Sequence, residues 1–202
     1  RETRARHALY GGPLVLAGLA GFALNAGDRW IVGDAFGPAE LAIYALAVKA
    51  AAFTALAVRP YDMWWEANRL RLAEGPDGRR RLRRSQLVGV ALGVAAAAGM
   101  AVLGPPALRL ATPEAYHGAA GLIPLAAAVG ALNVVAGYAG AEVYFRRTGF
   151  ALLGANVAAA GVALALYAVA IPAWGLAGAL GARGAAHLVK AGIYVAVAAA
   201  GR

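Results

Sequence analysis

Arg183, His187, Lys190 and Tyr194 follow one another at spacings of 4, 3 and 4 in an otherwise apolar run. At about 100° per residue on a helix, all four share one face within an arc of roughly 60°. Near the start of the chain, Gly18, Phe22, Asn25 and Arg29 form a similar face with Asp28 beside it. Lys49 stands in another apolar run with no acid within a helical turn. Charges inside apolar runs are costly, so each points to a function or to a partner. Cationic faces of this kind suit a water-filled cavity that attracts an anionic group such as a phosphate or diphosphate. The candidate binding residues are therefore Lys49, Arg183, His187, Lys190, Arg29 and Asn25.

A structural reading competes with this one. Asp28 and Arg183 come at similar depth in their runs and are able to satisfy each other, as Asp28 is with the adjacent Arg29. Arg59 and Glu142 match in the same way nearer the opposite end. Asp28, Arg59 and Glu142 are thus the candidate structural ion-pair residues. His187 taken alone reads as a packed or hydrogen-bonded histidine, and its place on the cationic stripe is what makes it a candidate. Asn133 and Asn156 read as hydrogen-bond partners between helices.

The elements that must carry these residues are membrane helices. About 20 apolar residues cross a hydrocarbon core, and six stretches reach that length: 8–33, 38–62, 86–104, 118–145, 150–170 and 174–200. They are rich in Ala, Leu and Gly rather than alternating, which argues for helices over strands. Gly37-Pro38, Pro105-Pro106, Thr112-Pro113 and Pro172 punctuate one side. An Arg-rich connector with Arg69, Arg71, Arg79, Arg80, Arg81, Arg83 and Arg84, and a second with Arg146 and Arg147, punctuate the other. Arg1, Arg4 and Arg6 open the chain and Arg202 closes it. Lys and Arg bias their loops toward the cytoplasm, so both ends of the chain are expected there. Trp64, Trp65 and Trp174 fall at the expected interfaces. Gly89 and Gly93 form a GxxxG pair, and Gly175, Gly178, Gly181 and Gly184 recur every third residue, so close helix packing is expected.

Composition narrows the functions. A chain 61% hydrophobic and 14% charged has too little polar surface for a soluble domain of its length. The net charge of +9 sits at the ends of apolar runs without interleaved aromatic platforms, which argues against a nucleic-acid partner. The Arg79–Arg84 cluster reads first as a topology anchor and second as a contact for anionic lipid headgroups. With no cysteine there is no thiolate chemistry or disulfide. Ser85 is the sole serine and lies outside any GxSxG turn, the histidines at 7, 117 and 187 are scattered, and no Walker or dinucleotide fingerprint occurs. No cofactor, no metal and no enzymatic activity are expected. The chain starts at Arg1 rather than Met, so it reads as a piece of a longer polypeptide.

The segment Tyr10 to Ala50, with Pro13, Asp28-Arg29, Gly33, Gly37-Pro38 and Ile43-Tyr44-Ala45, resembles the seventh and eighth helices of bacterial polysaccharide and O-antigen flippases of the MOP superfamily. Thr112-Pro113-Glu114-Ala115-Tyr116 followed by Pro124 is similar to the family's loop and tenth helix. Ile171-Pro172-Ala173-Trp174-Gly175-Leu176-Ala177-Gly178-Ala179 is similar to the turn into its twelfth. The resemblance implies an all-α polytopic protein: residues 1–202 as a C-terminal lobe of six transmembrane helices in a two-lobe, inverted-V transporter. The N-terminal lobe of the same polypeptide is then the missing partner. It further implies a bacterial inner-membrane protein that flips undecaprenyl-diphosphate-linked oligosaccharide by alternating access. Family cavity cations vary in position, so none is carried over as a site. The competing expectations are a multidrug or cation antiporter of the related group, a membrane-embedded transferase of the polysaccharide pathway, and a non-transporting scaffold.

Overall fold

The structure, a computed structural model, describes residues 2–140 and 149–200. The side chains of most residues before Val15, and those of Ala23, Asn25, Phe150 and Ala151, fall outside that description, as do Glu142, Arg146 and Arg147 entirely. The described chain is almost entirely helical. In an apolar solvent each backbone N–H and C=O has to be bonded within its own segment, and Ala- and Leu-rich runs meet that demand at low cost in entropy.

Among the described residues there are four helices, α1 (Glu2–Leu72), α2 (Gly78–Ala111), α3 (Ile123–Ala139) and α4 (Gly149–Ala200), with a 3-10 segment at Glu114–Leu122 leading into α3. All four, α3 together with its 3-10 segment, contain a stretch long and apolar enough to cross a membrane. The first and last are each two helices joined at a kink. At 71 residues α1 would run about 107 Å if straight, several times a hydrocarbon core. It breaks at Gly37, where φ is 80° and ψ is −179°. Tyr44 reaches Asp28 across 16 residues, a pair that a straight helix would hold about 24 Å apart. The chain therefore doubles back at Gly37, a position whose left-handed φ suits glycine. α4 doubles back in the same way at Gly175 (φ 59°), letting Asn156 and Tyr194 approach to 3.4 Å.

Two boundaries differ from the sequence reading in a way that matters. The arginines do not lie in a loop. Arg69 and Arg71 form the last turn of α1, Arg79 to Arg84 form the first turns of α2, and only residues 73–77 connect them. Arginine is a good helix former and no Gly or Pro interrupts 79–88, so the helices run on past the apolar stretch. Nor do Pro105 and Pro106 end α2, which continues to Ala111. Each proline ring has a helical φ but removes a donor and crowds the carbonyl four residues back, so the pair weakens the end of α2 without stopping it. Thr112 then stops it, its N–H and its hydroxyl both donating to the Leu108 carbonyl.

The chain forms two compact units, one from residues 1–44 with 139–202 and one from 45–138. In the first, Leu24, Val32, Tyr44, Tyr167, Ile171 and Leu180 are fully buried, and Tyr194 packs with Leu152 and Ala155. In the second, Val58, Trp65, Leu82, Ile123 and Tyr138 are buried. Here glycines set the spacing. A Cβ on Gly93 would stand 2.7 Å from Val134, and Gly89 lies against the Tyr138 ring. The GxxxG face of α2 thus receives α3.

Candidate functional site

Asp28 is the centre of the first unit's polar chemistry. It is fully buried on the first limb of α1. Its Oδ2 accepts from the Tyr44 hydroxyl on the returning limb and from Arg183 Nη1 at 3.1 Å on α4, while its Oδ1 accepts the Arg29 N–H at 2.9 Å. The Tyr167 hydroxyl reaches the Leu24 carbonyl at 3.5 Å one turn away. Arg183 is nearly as buried as its partner, with 10% of its side chain exposed. Two opposite charges removed from water together are tolerable only when close and well bonded, and this pair is both.

The α4 stripe faces inward. Arg183, His187 and Tyr194 are buried and Lys190 is half-buried, so the 4-3-4 spacing does place them on one face. Their chemistry divides, however. Arg183 is neutralised by Asp28. His187 is 1% exposed, and its Nδ1 has no hydrogen-bond partner among the described residues. Lys190 holds its ammonium 5.9 Å above the Tyr194 ring, a cation–π contact. The Tyr194 hydroxyl lies 3.4 Å from Asn156 Nδ2, which also donates to the Leu152 carbonyl at 2.8 Å.

No protein-family model, curated protein or solved structure matches this chain.

The remaining candidates scatter. Arg29 is exposed and lines an open groove of about 730 Å³ with Phe22, Trp30, Asp34 and Leu41. Lys49 is exposed in the second unit. The partner of Arg59 within the described residues is Glu66, at 3.8 Å with both side chains about half exposed (55% and 54%), so this pair lies on the surface. Glu142, to which Arg59 was matched on depth, lies outside the described residues, as does the side chain of Asn25. No group of three metal-ligating side chains occurs among the described residues.

Two features went unnoticed in the sequence. Tyr44 supplies a donor to Asp28, and the available signal was a tyrosine in the middle of an apolar helix, where a hydroxyl needs a partner. The second unit has its own polar knot. Tyr138 donates to Asp62 Oδ1, Gln86 Nε2 donates to the Tyr138 carbonyl at 3.2 Å, and the Tyr61 hydroxyl meets Ser85 Oγ at 2.8 Å. The Trp65 ring stands edge-on to Tyr138 at 5.2 Å. Asp62 and Tyr138 are 76 residues apart, and nothing in their local sequence pairs them.

Proposed function

We propose that this chain is a six-helix lobe of a bacterial inner-membrane transporter that passes undecaprenyl-diphosphate-linked oligosaccharide from the inner to the outer leaflet. The limbs on either side of Gly37 and Gly175, with α2 and the α3 segment, are the six crossings. Both chain ends are cytoplasmic. Alternating access requires a second lobe facing this one, with the substrate path between the two.

Lys49 is the observation that carries the reading. It is exposed, about 17 Å along its limb from Pro38, close to half the thickness of a ~30 Å hydrocarbon core. Phe53 and Leu56 share its face and are 55% and 61% exposed. A cation at that depth costs about 2.5–3.5 kcal/mol against lipid, so this face belongs against a polar path or a polar partner. A diphosphate passing between lobes meets that requirement. The antiporter alternative needs an acid free to exchange a cation, whereas both Asp28 oxygens are engaged within the unit.

In the full-length protein, Lys49→Ala should abolish polysaccharide export at normal membrane levels, and Lys49→Arg should retain most of it. Normal export by Lys49→Ala would overturn the assignment. Residues 1–202 expressed alone should insert into membranes without flipping lipid-linked sugar, as read in a vesicle assay.

A further inference from the structure

Seven arginines between Arg69 and Arg84 crowd the junction of α1 and α2, and they differ in what they hold. Arg69 lies 5.6 Å over the Trp65 ring. Arg71 donates to Asn68 Oδ1 at 2.6 Å. Arg81 turns back across the connector and donates from Nη2 to the Glu74 carbonyl at 2.5 Å. The first two contacts lie within α1, and the third closes the connector. Arg79, Arg80, Arg83 and Arg84 are all exposed, and no hydrogen bond or ion pair of their side chains occurs among the described residues.

Position on the helix sharpens the distinction. The four fan over an arc of about 140° on α2, while Leu82, Ser85 and Gly89 occupy the opposite side and are buried. The fan also sits where positive charge is least welcome, in the first two turns, at the positive end of the helix dipole. The first turn contains no acid, and the N-cap residue Asp77 makes no side-chain cap hydrogen bond. Guanidinium groups thus crowd this helix end, and among the described residues neither Glu74 nor Asp77 of the connector forms an ion pair with them.

What lies beyond the fan selects the anion. The same face continues into Leu87, Ala91, Val94 and Ala98, all exposed, along a helix apolar enough to cross a membrane. Were that stripe to face hydrocarbon, arginines directly above it would reach the lipid phosphates, with their stems free to lie along the apolar surface. A nucleic acid or an acidic protein would match the charge but not the stripe.

We propose that Arg79, Arg80, Arg83 and Arg84 form a binding face for the headgroups of anionic phospholipids, while Arg69 and Arg71 are engaged within α1 and Arg81 closes the connector. The proposal is independent of what the protein transports. A topology signal treats all these arginines alike; a headgroup site does not.

The test reconstitutes the full-length protein in vesicles of phosphatidylcholine and phosphatidylglycerol and measures the relative association of spin-labelled forms of the two lipids. The wild type should prefer phosphatidylglycerol several-fold, with the preference falling as salt rises. Replacing all four arginines by glutamine should bring the ratio to unity, whereas Arg81→Gln and a four-lysine variant should keep most of the preference. Undiminished preference in the four-glutamine variant, or none in the wild type, overturns the proposal. Should the four-glutamine protein fail to fold, the lysine variant and the wild type still decide, since a preference unaffected by salt overturns it. Inorganic phosphate added at constant ionic strength should leave the preference intact; its loss would assign the face to soluble phosphate instead.

Discussion

Asp28 shows how a single side chain exchanges one role for another once its neighbours are known. Its carboxylate ties both limbs of α1 to α4 through Tyr44 and Arg183. Removing one member of a buried pair strands the other charge, at a cost of about 3–5 kcal/mol. Asp28→Ala should therefore lower the thermal unfolding midpoint in detergent sharply, whereas the double replacement Asp28→Leu with Arg183→Leu should recover most of the loss. An unchanged midpoint for Asp28→Ala would show that the pair carries no structural role. The depth match between Asp28 and Arg183 was visible in the sequence because both sit comparably far into apolar runs. Tyr44 was not, because its approach depends on the reversal at Gly37.

At the scale of elements, glycines decide how closely helices approach. On α2, Gly93 has no room for a methyl group beside Val134, while a Cβ at Gly99 would meet nothing within 4 Å. Gly93→Ala should destabilise the protein by about 1–3 kcal/mol through overpacking, and Gly99→Ala should be neutral or stabilising by about 0.5–1 kcal/mol, the usual gain in a helix interior. Equal effects of the two substitutions on thermal unfolding would remove the packing account. The GxxxG spacing alone marked Gly89 and Gly93 as a contact face; that α3 fills it through Tyr138 and Val134 emerges only from the fold. The arginines carry a related lesson. Their charge drew attention to the junction, but helix propensity carried them into α1 and α2, where each acquired its own direction.

For the whole molecule, six membrane crossings imply a sided labelling pattern that the absence of cysteine makes easy to probe. Single substitutions Phe36→Cys, Glu114→Cys and Ala173→Cys should react with an impermeant maleimide from one side of the membrane, and Glu74→Cys from the other. Reaction of Phe36→Cys or Ala173→Cys from the Glu74 side, or no reaction at either, would reject six crossings and leave α1 and α4 as something other than paired spans.

The sequence by itself determined the solvent and the class of structure. Long apolar runs admit only internally bonded helices in lipid, and Gly37 and Pro172 marked two of the places where the chain turns. Tertiary structure decided which charges are engaged and which remain available. Arg183 and Lys190 share a helix face and look equivalent in the sequence, yet one is bridged to Asp28 and the other rests over Tyr194. That difference depends on partners 155 residues and 4 residues away, respectively. Helical periodicity fixes the direction in which a side chain points, but only packing determines what it meets there.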